Sequence, residues 1–281
     1  MLIAQLTDLH LGFDGAGVPC KNTARLKDVL DEFDNMKRRP DLLLITGDLV
    51  EGGEDWAYEK LKEALENLEI PCYLGLGNHD DRPAFSKVFL TETFNEGFFQ
   101  YTIEEWPLRI IMLDTIGHGR HGGAFCETRA KWLQARLSEQ ADRPTLIAMH
   151  HPPIKTGISW MTASPEDAWV QRLHSVVNEF DNIVQIISGH VHRSISSRFA
   201  GTIVSVSCAI APQVKLDLAP IEIDIPDNRT LIVESNAGYC LLEWDGKDLT
   251  THHGVAPEGQ AIIKYDNNHA YVVKNTMDIP G

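Results

Sequence analysis

Five short polar clusters hold the residue types that could do chemistry, and each follows an apolar run. They are Asp8-Leu9-His10, Gly47-Asp48, Gly77-Asn78-His79-Asp80, His150-His151 and Gly189-His190-Val191-His192. The apolar runs predict buried strands, and the carboxyl ends of such strands open into a crevice where ligands bind. We therefore expect two carboxylates, one amide and up to five imidazoles to converge along one edge of the sheets.

These donors predict a site for two metal ions. A mixture of nitrogen and oxygen ligands without a thiolate suits Mn²⁺, Fe²⁺ or Zn²⁺ better than Cu⁺ or an iron–sulfur cluster. Eight groups exceed the needs of one ion but suit two ions that share a bridging carboxylate. Two divalent ions, two carboxylates and a bridging hydroxide leave a surplus of roughly one positive charge in a site of low dielectric. Such a site attracts an anion, and paired ions fit in-line displacement at phosphorus.

The clusters must be positioned by strands that alternate with helices. Apolar runs predict strands over residues 2–6, 42–45, 72–76, 98–103, 108–113, 145–149, 183–187 and 202–207. Helical spacing predicts helices over about 23–36, 57–68, 83–89 and 127–137, and one more that is capped by Ser164-Pro165-Glu166. The alternation indicates an α/β fold in which helices cover both faces of the sheets, with later strands antiparallel or mixed.

The pattern changes from about Pro212 onward. Alternating apolar residues over 221–225 and 231–235 predict exposed antiparallel strands, and Asp245-Gly246 predicts a hairpin turn. The sequence therefore predicts a catalytic domain over residues 1–211 and a β-rich extension over residues 212–281, which serves as a lid or an oligomerisation segment.

Composition limits the class of partner and the compartment. With 281 residues, 43 % of them apolar, the chain can form one large α/β domain or a domain with an appendage. The net charge of −15 argues against nucleic-acid polymers and anionic membrane surfaces as partners. Five cysteines without a Cys-x-x-Cys pair favour buried, reduced thiols. No run approaches a membrane span and no leader peptide is evident, so we expect a cytoplasmic protein.

The five clusters, in this order, resemble the calcineurin-like metallophosphoesterase superfamily. More narrowly, they resemble the bacterial class III cyclic-nucleotide phosphodiesterases and the related glycerophosphodiesterases, over roughly residues 1–210. The resemblance implies a four-layer αββα sandwich of two mixed sheets, and dimers or higher oligomers formed through the C-terminal part. It also implies small phosphodiester substrates, either 3′,5′-cyclic nucleotides or glycerophosphodiesters, that are attacked in line by a metal-bound hydroxide.

The resemblance further implies a role for each cluster. The implied ligands are Asp8, His10 and His192 for the first ion, Asn78, His150 and His190 for the second, and Asp48 as the bridge. His79 lies just outside the ions and positions the phosphate or protonates the leaving alkoxide. Asp80 is expected to orient His79.

Further residues are predicted to contact the substrate, each with a structural alternative. They are Asn22, Arg82, His118, His151 and Trp160. Asn22 could line the mouth of the site, and Arg82 could form a surface salt bridge instead of reaching the pocket. His151 directly follows a predicted ligand, so a positioning role is equally favoured. Trp160 could form an apolar wall or pack its own loop. His118 lies with Arg120 and His121 in a glycine-rich loop. A solvated loop is the favoured interpretation, and a lip that contacts a substrate phosphate or leaving group is the alternative.

Two alternative functions remain at this point. Few candidate arginines, such as Arg82 and Arg120, flank the motifs, and a terminal monoester dianion usually calls for more cationic contacts. Diesters are therefore favoured over a phosphomonoesterase or pyrophosphatase on the same metals. A non-catalytic scaffold that binds partner proteins is the other alternative, but such a protein would be expected to lose ligands, and this chain keeps all of them.

Overall fold

The computed structural model describes residues 1–91 and 94–277. The strands are β1 (Leu2–Leu6), β2 (Leu42–Thr46), β3 (Cys72–Gly75), β4 (Tyr101–Ile103), β5 (Arg109–Leu113), β6 (Thr145–Met149), β7 (Ile183–Ser188), β8 (Ile195–Phe199), β9 (Thr202–Val206), β10 (Gln213–Val214), β11 (Ile232–Val233), β12 (Ala237–Trp244) and β13 (Leu249–Ala256). The helices are α1 (Lys21–Asn35), α2 (Asp55–Leu65), α3 (Arg82–Phe89), α4 (Glu127–Glu139), α5 (Ala168–Val177) and α6 (Ala270–Thr276).

Two large mixed sheets form the centre of the fold. The first has the order β13-β12-β1-β2-β3, and the second has the order β4-β5-β6-β7-β9-β8. Strands β1, β2 and β3 are parallel, as are β5, β6, β7 and β9. Strands β4, β8, β12 and β13 pair antiparallel with their neighbours. The central parallel strands thus point their carboxyl ends to one edge of each sheet.

The two sheets pack face to face and helices cover their outer faces. Ile3 and Leu44 of the first sheet share a buried cluster with Ile110 and Leu146 of the second. Helices α1 to α3 bury apolar side chains against the first sheet, and α4 and α5 do so against the second. Because both faces are covered, all five residues of β1 and of β2 are buried, which explains their continuous apolar runs. The expected four-layer αββα architecture is confirmed.

The predicted hairpin near the C-terminus completes the first sheet. Asp245 Oδ1 accepts hydrogen bonds from the backbone N–H groups of Lys247 and Asp248 and closes the turn between β12 and β13. Strand β12 pairs antiparallel with β1, and residues 2–5 lie opposite residues 243–240. The division at residue 211 stays a prediction, but residues 237–256 belong to the same sheet as the N-terminal strand.

Several element predictions need correction. Residues 221–225 form no strand, because Ile225 N bonds to Glu222 O in a turn and Ile223 is 92 % exposed. Only two residues of the predicted 231–235 strand pair, with β10. Helix α5 begins at Ala168, because Ser164 is held in a preceding turn by Asp167. The strand expected over 98–103 is confined to β4, and β8 was not predicted.

Two expectations from composition can be compared with the structure. All five cysteines are free, but Cys240 alone is fully buried and the other four are partly exposed, so the prediction of buried thiols is wrong for those four. Among the residues that the structure describes, no helix has the length and apolar character needed to cross a membrane.

Candidate metal centre

The polar clusters gather at the carboxyl edge of both sheets, because backbone hydrogen bonds extend beyond the strands. Asp8 N donates to Gly47 O and His10 N donates to Asp48 O, each at 3.0 Å. In the second sheet, Gly189 N donates to His150 O at 3.0 Å. His190 N then donates to both carboxylate oxygens of Asp8, at 2.9 and 3.1 Å. This last pair of bonds joins the two sheets at the site.

Five of the seven predicted ligands have left-handed backbone conformations. Their φ angles are 53° for Asp8, 46° for His10, 49° for Asp48, 70° for His190 and 52° for His192. Non-glycine residues adopt this region uncommonly, and it costs roughly 1–2 kcal/mol per residue. Such strain concentrates at functional sites, where the surrounding structure holds it in place.

Two glycines allow the close approach of these segments. A Cβ added at Gly77 would collide with the Asp48 carboxylate, and one added at Gly189 would collide with Thr7 and Asp8. Both glycines therefore explain why the motifs read Gly-Asn-His and Gly-His-x-His: the backbone packs directly against a ligand carboxylate.

The first half of the centre, defined as Asp8, His10 and His192, points its Nε2 atoms inward. His10 Nε2 lies 3.2 Å from His192 Nε2 and 3.6 Å from Asp48 Oδ2. His192 Nε2 lies 3.3 Å from Asp8 Oδ1. On the outer side, His10 Nδ1 donates to Glu51 Oε2 at 2.6 Å, and His192 Nδ1 donates to Pro212 O at 2.8 Å. These outer bonds fix the tautomers that leave Nε2 available for a metal.

The second half, defined as Asn78, His150 and His190, is more deeply enclosed. His150 Nδ1 donates to Thr46 O at 2.9 Å. Its Nε2 lies 3.2 Å from Asp48 Oδ2, yet the orientation makes no hydrogen bond, and the atom is buried. His190 Nδ1 is likewise buried and has no hydrogen-bond partner among the described residues. Buried ring nitrogens without a partner are costly, and a bound cation would supply one.

The residues present fit a pair of divalent ions. Three groups of residues each bring their possible ligand atoms within 4.8 Å of one another. They are Asp8 with His10 and His192, Asp8 with Asp48 and His150, and His150 with His151 and His190. A fourth set joins Asp48 to His10 and His79. Asp48 is thus shared between the two halves, as a bridging ligand requires. The individual ligand assignments stay predictions.

Opposite charges are tightly coupled in this site. Burial raises the pKa of Asp8, but the facing His192 outweighs it and brings the pKa to about 2. Burial lowers the pKa of His150, but Asp48 and Asp8 raise it to about 9. Burial and the neighbouring His150 lower the pKa of His190 to about 3. Metal binding at His150 must therefore displace a proton.

Asp80 does not orient His79, which corrects that prediction. Its carboxylate instead accepts hydrogen bonds from the backbone N–H groups of Leu49 and Gly77 and from the Tyr58 hydroxyl, at 2.8–3.2 Å. Burial and the nearby Asp48 raise the pKa of Asp80 to about 7. The carboxylate thereby ties the loops after β2 and β3 together.

Glu51, and not Asp80, makes the contacts that would orient His79. His79 Nδ1 donates to Glu51 O at 2.8 Å, and Glu51 Oε2 lies 3.6 Å from the same nitrogen. Since Glu51 also accepts from His10, one residue contacts both a predicted ligand and the predicted proton donor. Sequence reasoning missed Glu51. The available signal was a carboxylate three residues after Asp48 in the same loop.

Two of the predicted substrate contacts, Asn22 and His151, are in contact with predicted metal ligands. Asn22 is buried and donates from Nδ2 to His10 O at 3.1 Å. His151 is 1 % exposed; its Nδ1 accepts from the Thr115 hydroxyl at 2.8 Å, and its Nε2 lies 3.1 Å from Asn78 Oδ1. Burial lowers the pKa of His151 well below its usual range. The geometry supports the positioning role for His151.

The other three predicted contacts differ in their surroundings. Arg82 donates from Nε and Nη2 to both carboxylate oxygens of Asp114, each at 2.7 Å, so its charge is matched inside the protein. His118 is exposed on the glycine-rich loop. Trp160 is 40 % exposed and lines neither cavity beside the centre. His121 of the same loop, which the lip alternative included, has its ring centroid 5.0 Å from that of His190.

Two cavities open on either side of His79. The larger, of about 800 Å³, is lined by Asn78, His79, Arg82, Phe94, His118 and Arg120, among others. The smaller, of about 390 Å³, is lined by His10, Phe13, Asn22, His79, His192 and Ile232, among others. A ligand bound at the metals can therefore extend in two directions.

Sequence and structure together define a metal-dependent phosphoesterase site, and comparison with known proteins agrees. Residues 1–194 match the model of the calcineurin-like phosphoesterase family, and the chain belongs to that family. It is therefore a hydrolase.

Curated relatives are similar to the chain over most of its length. A probable glycerophosphodiester phosphodiesterase of Arcobacter nitrofigilis is 31 % identical over 257 residues, which cover 90 % of this chain and 92 % of the relative. A probable cyclic nucleotide phosphodiesterase of Rhodopseudomonas palustris is 32 % identical over 238 residues, which cover 78 % and 85 %. A solved dimetal phosphatase from Danio rerio shares the fold, with a TM-score of 0.61 at 14 % identity over 92 % of this chain and 99 % of that one.

Proposed function

We propose that this protein is a dinuclear metal-dependent phosphodiesterase whose substrates are small acyclic phosphodiesters. The two divalent ions would be Mn²⁺, Fe²⁺ or Zn²⁺, held by the seven predicted ligands. Relatives whose names include both glycerophosphodiester and cyclic nucleotide phosphodiesterases support the diester class.

The observation that carries the choice of an acyclic diester is the pair of cavities that meet at His79. An acyclic phosphodiester carries two separate organic groups on its phosphorus, and each group can enter one cavity. A 3′,5′-cyclic nucleotide joins both ester oxygens to one ribose, so it would extend into only one of the two cavities. The geometry therefore favours glycerophosphodiesters and similar molecules over cyclic nucleotides.

The chain's own residues then supply orientation and a proton. When bound, the paired ions neutralise charge on the phosphoryl oxygens and activate water. His79 N donates to Asp48 Oδ1 at 2.9 Å, which places the imidazole beside the predicted bridge. Because His79 Nδ1 donates to Glu51 O, its Nε2 is the atom left to face the departing alkoxide, and it gives a proton to that oxygen when the ring is in its doubly protonated, imidazolium form. Asn78 would hold the second ion together with His150 and His190.

Exposed apolar residues support a homo-oligomer formed through the C-terminal part. Ile223 and Ile262 are 92 % and 95 % exposed, and Tyr265 is 74 % exposed. Such residues in water favour association. A cytoplasmic location remains part of the proposal, as does the absence of nucleic-acid and membrane partners.

A substrate panel on metal-reconstituted protein tests this proposal. We expect glycerophosphodiesters to be hydrolysed with a higher kcat/KM than 3′,5′-cyclic AMP. Preference for the cyclic nucleotide would contradict the choice of an acyclic substrate but would still agree with a phosphodiesterase.

A second pair of substrates, bis(4-nitrophenyl) phosphate and 4-nitrophenyl phosphate, tests whether the protein is a phosphodiesterase at all. Faster turnover of the monoester would favour a phosphomonoesterase. Near-zero bound metal after Mn²⁺ loading would favour a non-catalytic scaffold.

A further inference from the structure

Arg120 is a cation of the larger cavity whose charge the described residues leave unmatched. It lies in the glycine-rich loop 117–123 and is exposed. Its guanidinium makes no hydrogen bond and no ion pair within 4 Å to any residue of 1–91 or 94–277. The same cavity contains Asn78 and His79, so a molecule bound at the metal centre and extending into this cavity reaches the loop.

The other charged groups of this cavity are already engaged. Arg82 is held by both oxygens of Asp114. Asp80 faces backbone amides and Tyr58, and Asp81 accepts a hydrogen bond from Ala84 N at the start of α3. Among the described residues, Arg120 is therefore the charged side chain of this cavity that has no hydrogen-bond or ion-pair partner.

The phosphodiester itself does not need this cation. The surplus of roughly one positive charge expected from two divalent ions is balanced by the single negative charge of one phosphodiester. A second anionic group on the substrate would find no counter-charge at the metals. It would find one at Arg120, because a guanidinium suits carboxylate and phosphate oxygens in a two-point contact.

We propose that Arg120 determines substrate specificity by binding an oxyanion, a carboxylate or a phosphate, on the ester group that enters the larger cavity. The proposal rests on the proposed phosphodiesterase function and deepens it. The substrate class becomes an acyclic phosphodiester that carries a second negative charge on one of its two alcohols. His118, on the same loop and lining the same cavity, contributes polar contacts without a fixed charge.

A matched set of substrates tests the role of Arg120. Bis(4-carboxyphenyl) phosphate and bis(4-carbamoylphenyl) phosphate have nearly the same shape but differ in charge. Bis(4-phosphonophenyl) phosphate tests whether the second oxyanion can be a phosphate-like group instead of a carboxylate. We expect Arg120→Ala to lower the ratio of kcat/KM for an anionic substrate to that for the amide by roughly fivefold, the scale of one exposed ion pair. Arg120→Lys should keep most of the ratio.

The control is Arg198→Ala, because Arg198 is also exposed and forms no ion pair with the residues that the structure describes, but lines a separate cavity beside α5 and β8. It should leave the ratio unchanged. An unchanged ratio in Arg120→Ala overturns the proposal, as does an equal loss on charged and neutral substrates, which would place Arg120 at the reacting phosphate. If wild-type protein hydrolyses none of these diesters, the proposed function fails instead.

Equilibrium binding gives a readout that is independent of turnover. Calorimetry should show 4-carboxyphenyl phosphate binding several-fold more tightly than 4-carbamoylphenyl phosphate to wild-type protein, with a difference that shrinks as salt rises. The preference should disappear in Arg120→Ala and persist in Arg198→Ala. Equal binding of the two ligands to wild-type protein would refute the proposed contact.

Discussion

The two halves of the metal centre are supported in different ways. In the first half, a charged carboxylate, Glu51, holds the outer nitrogen of His10, and the ligand set includes the carboxylate of Asp8. In the second half, the supports are neutral: the Thr46 carbonyl holds His150, and the His151 ring contacts the Asn78 amide. The second half has no carboxylate of its own and depends on the shared Asp48.

For the proposed pair of ions, this difference predicts unequal affinities. Ligand charge is a main determinant of affinity for a divalent cation. The first half should therefore bind its ion tightly, while the second should bind and release its ion more readily. Neutral, buried supports suit the second half, because a further buried carboxylate there would need its own counter-charge.

The largest expected effect comes from the residue that both halves share. Asp48→Ala removes the bridge, so both ions should be held weakly and turnover should fall by at least about 10³-fold, since paired ions supply several kcal/mol of transition-state stabilisation. Metal analysis and bis(4-nitrophenyl) phosphate turnover measure this. Wild-type activity in the variant would count against a common bridge.

A variant of the second half should separate the two ions. In Asn78→Ala we expect the first ion to remain and the second to be lost, whereas wild-type protein titrated with Mn²⁺ should show a tight step followed by a weaker one. The weaker step, which involves His150, should release a proton, because the pKa of this histidine is about 9 in the metal-free protein. Two steps of equal affinity in wild-type protein would refute the asymmetry.

A variant of the first half tests the charged support. Glu51→Gln keeps the shape of the side chain but removes its charge beside His10 and His79. The Mn²⁺ affinity of the tight step should therefore fall by about 10–100-fold. The remaining activity should fall most for esters with poor leaving alcohols, because His79 would be less well placed to donate a proton. Glu59→Gln, on the exposed face of α2, is the matched control and should change neither property.

The smallest effect is expected at the neutral support of the second half. His151→Phe removes the contacts to Thr115 and Asn78 but no charge. The Mn²⁺ affinity of the weaker step should therefore decrease by about tenfold, and the affinity of the tight step should not change. A thermal melt of the metal-free variant separates this effect from a loss of folding. An equal decrease in both steps would mean that the halves are not independent.

The sequence predicted the α/β class and the polar clusters because both depend on local patterns, whereas the four-layer arrangement was implied by the family resemblance. Buried runs such as Leu42–Thr46 and the polar residues after them are recognisable within a few positions. Glu51 was missed because its contacts depend on how one loop folds back on two histidines. The pairing of β12 with β1 joins residues more than 230 positions apart. Residues 221–225 alternate like a strand, but they have no neighbouring strand to pair with.

The left-handed conformations of the predicted ligands have a consequence for the evolution of the protein. Glycine would adopt the φ of 49° at position 48 without the penalty that a side chain incurs there. We therefore expect metal-free Asp48→Gly to melt at a higher temperature than metal-free Asp48→Ala. Selection for folding alone would replace these residues with glycine. Keeping side chains at these positions therefore opposes thermal robustness there.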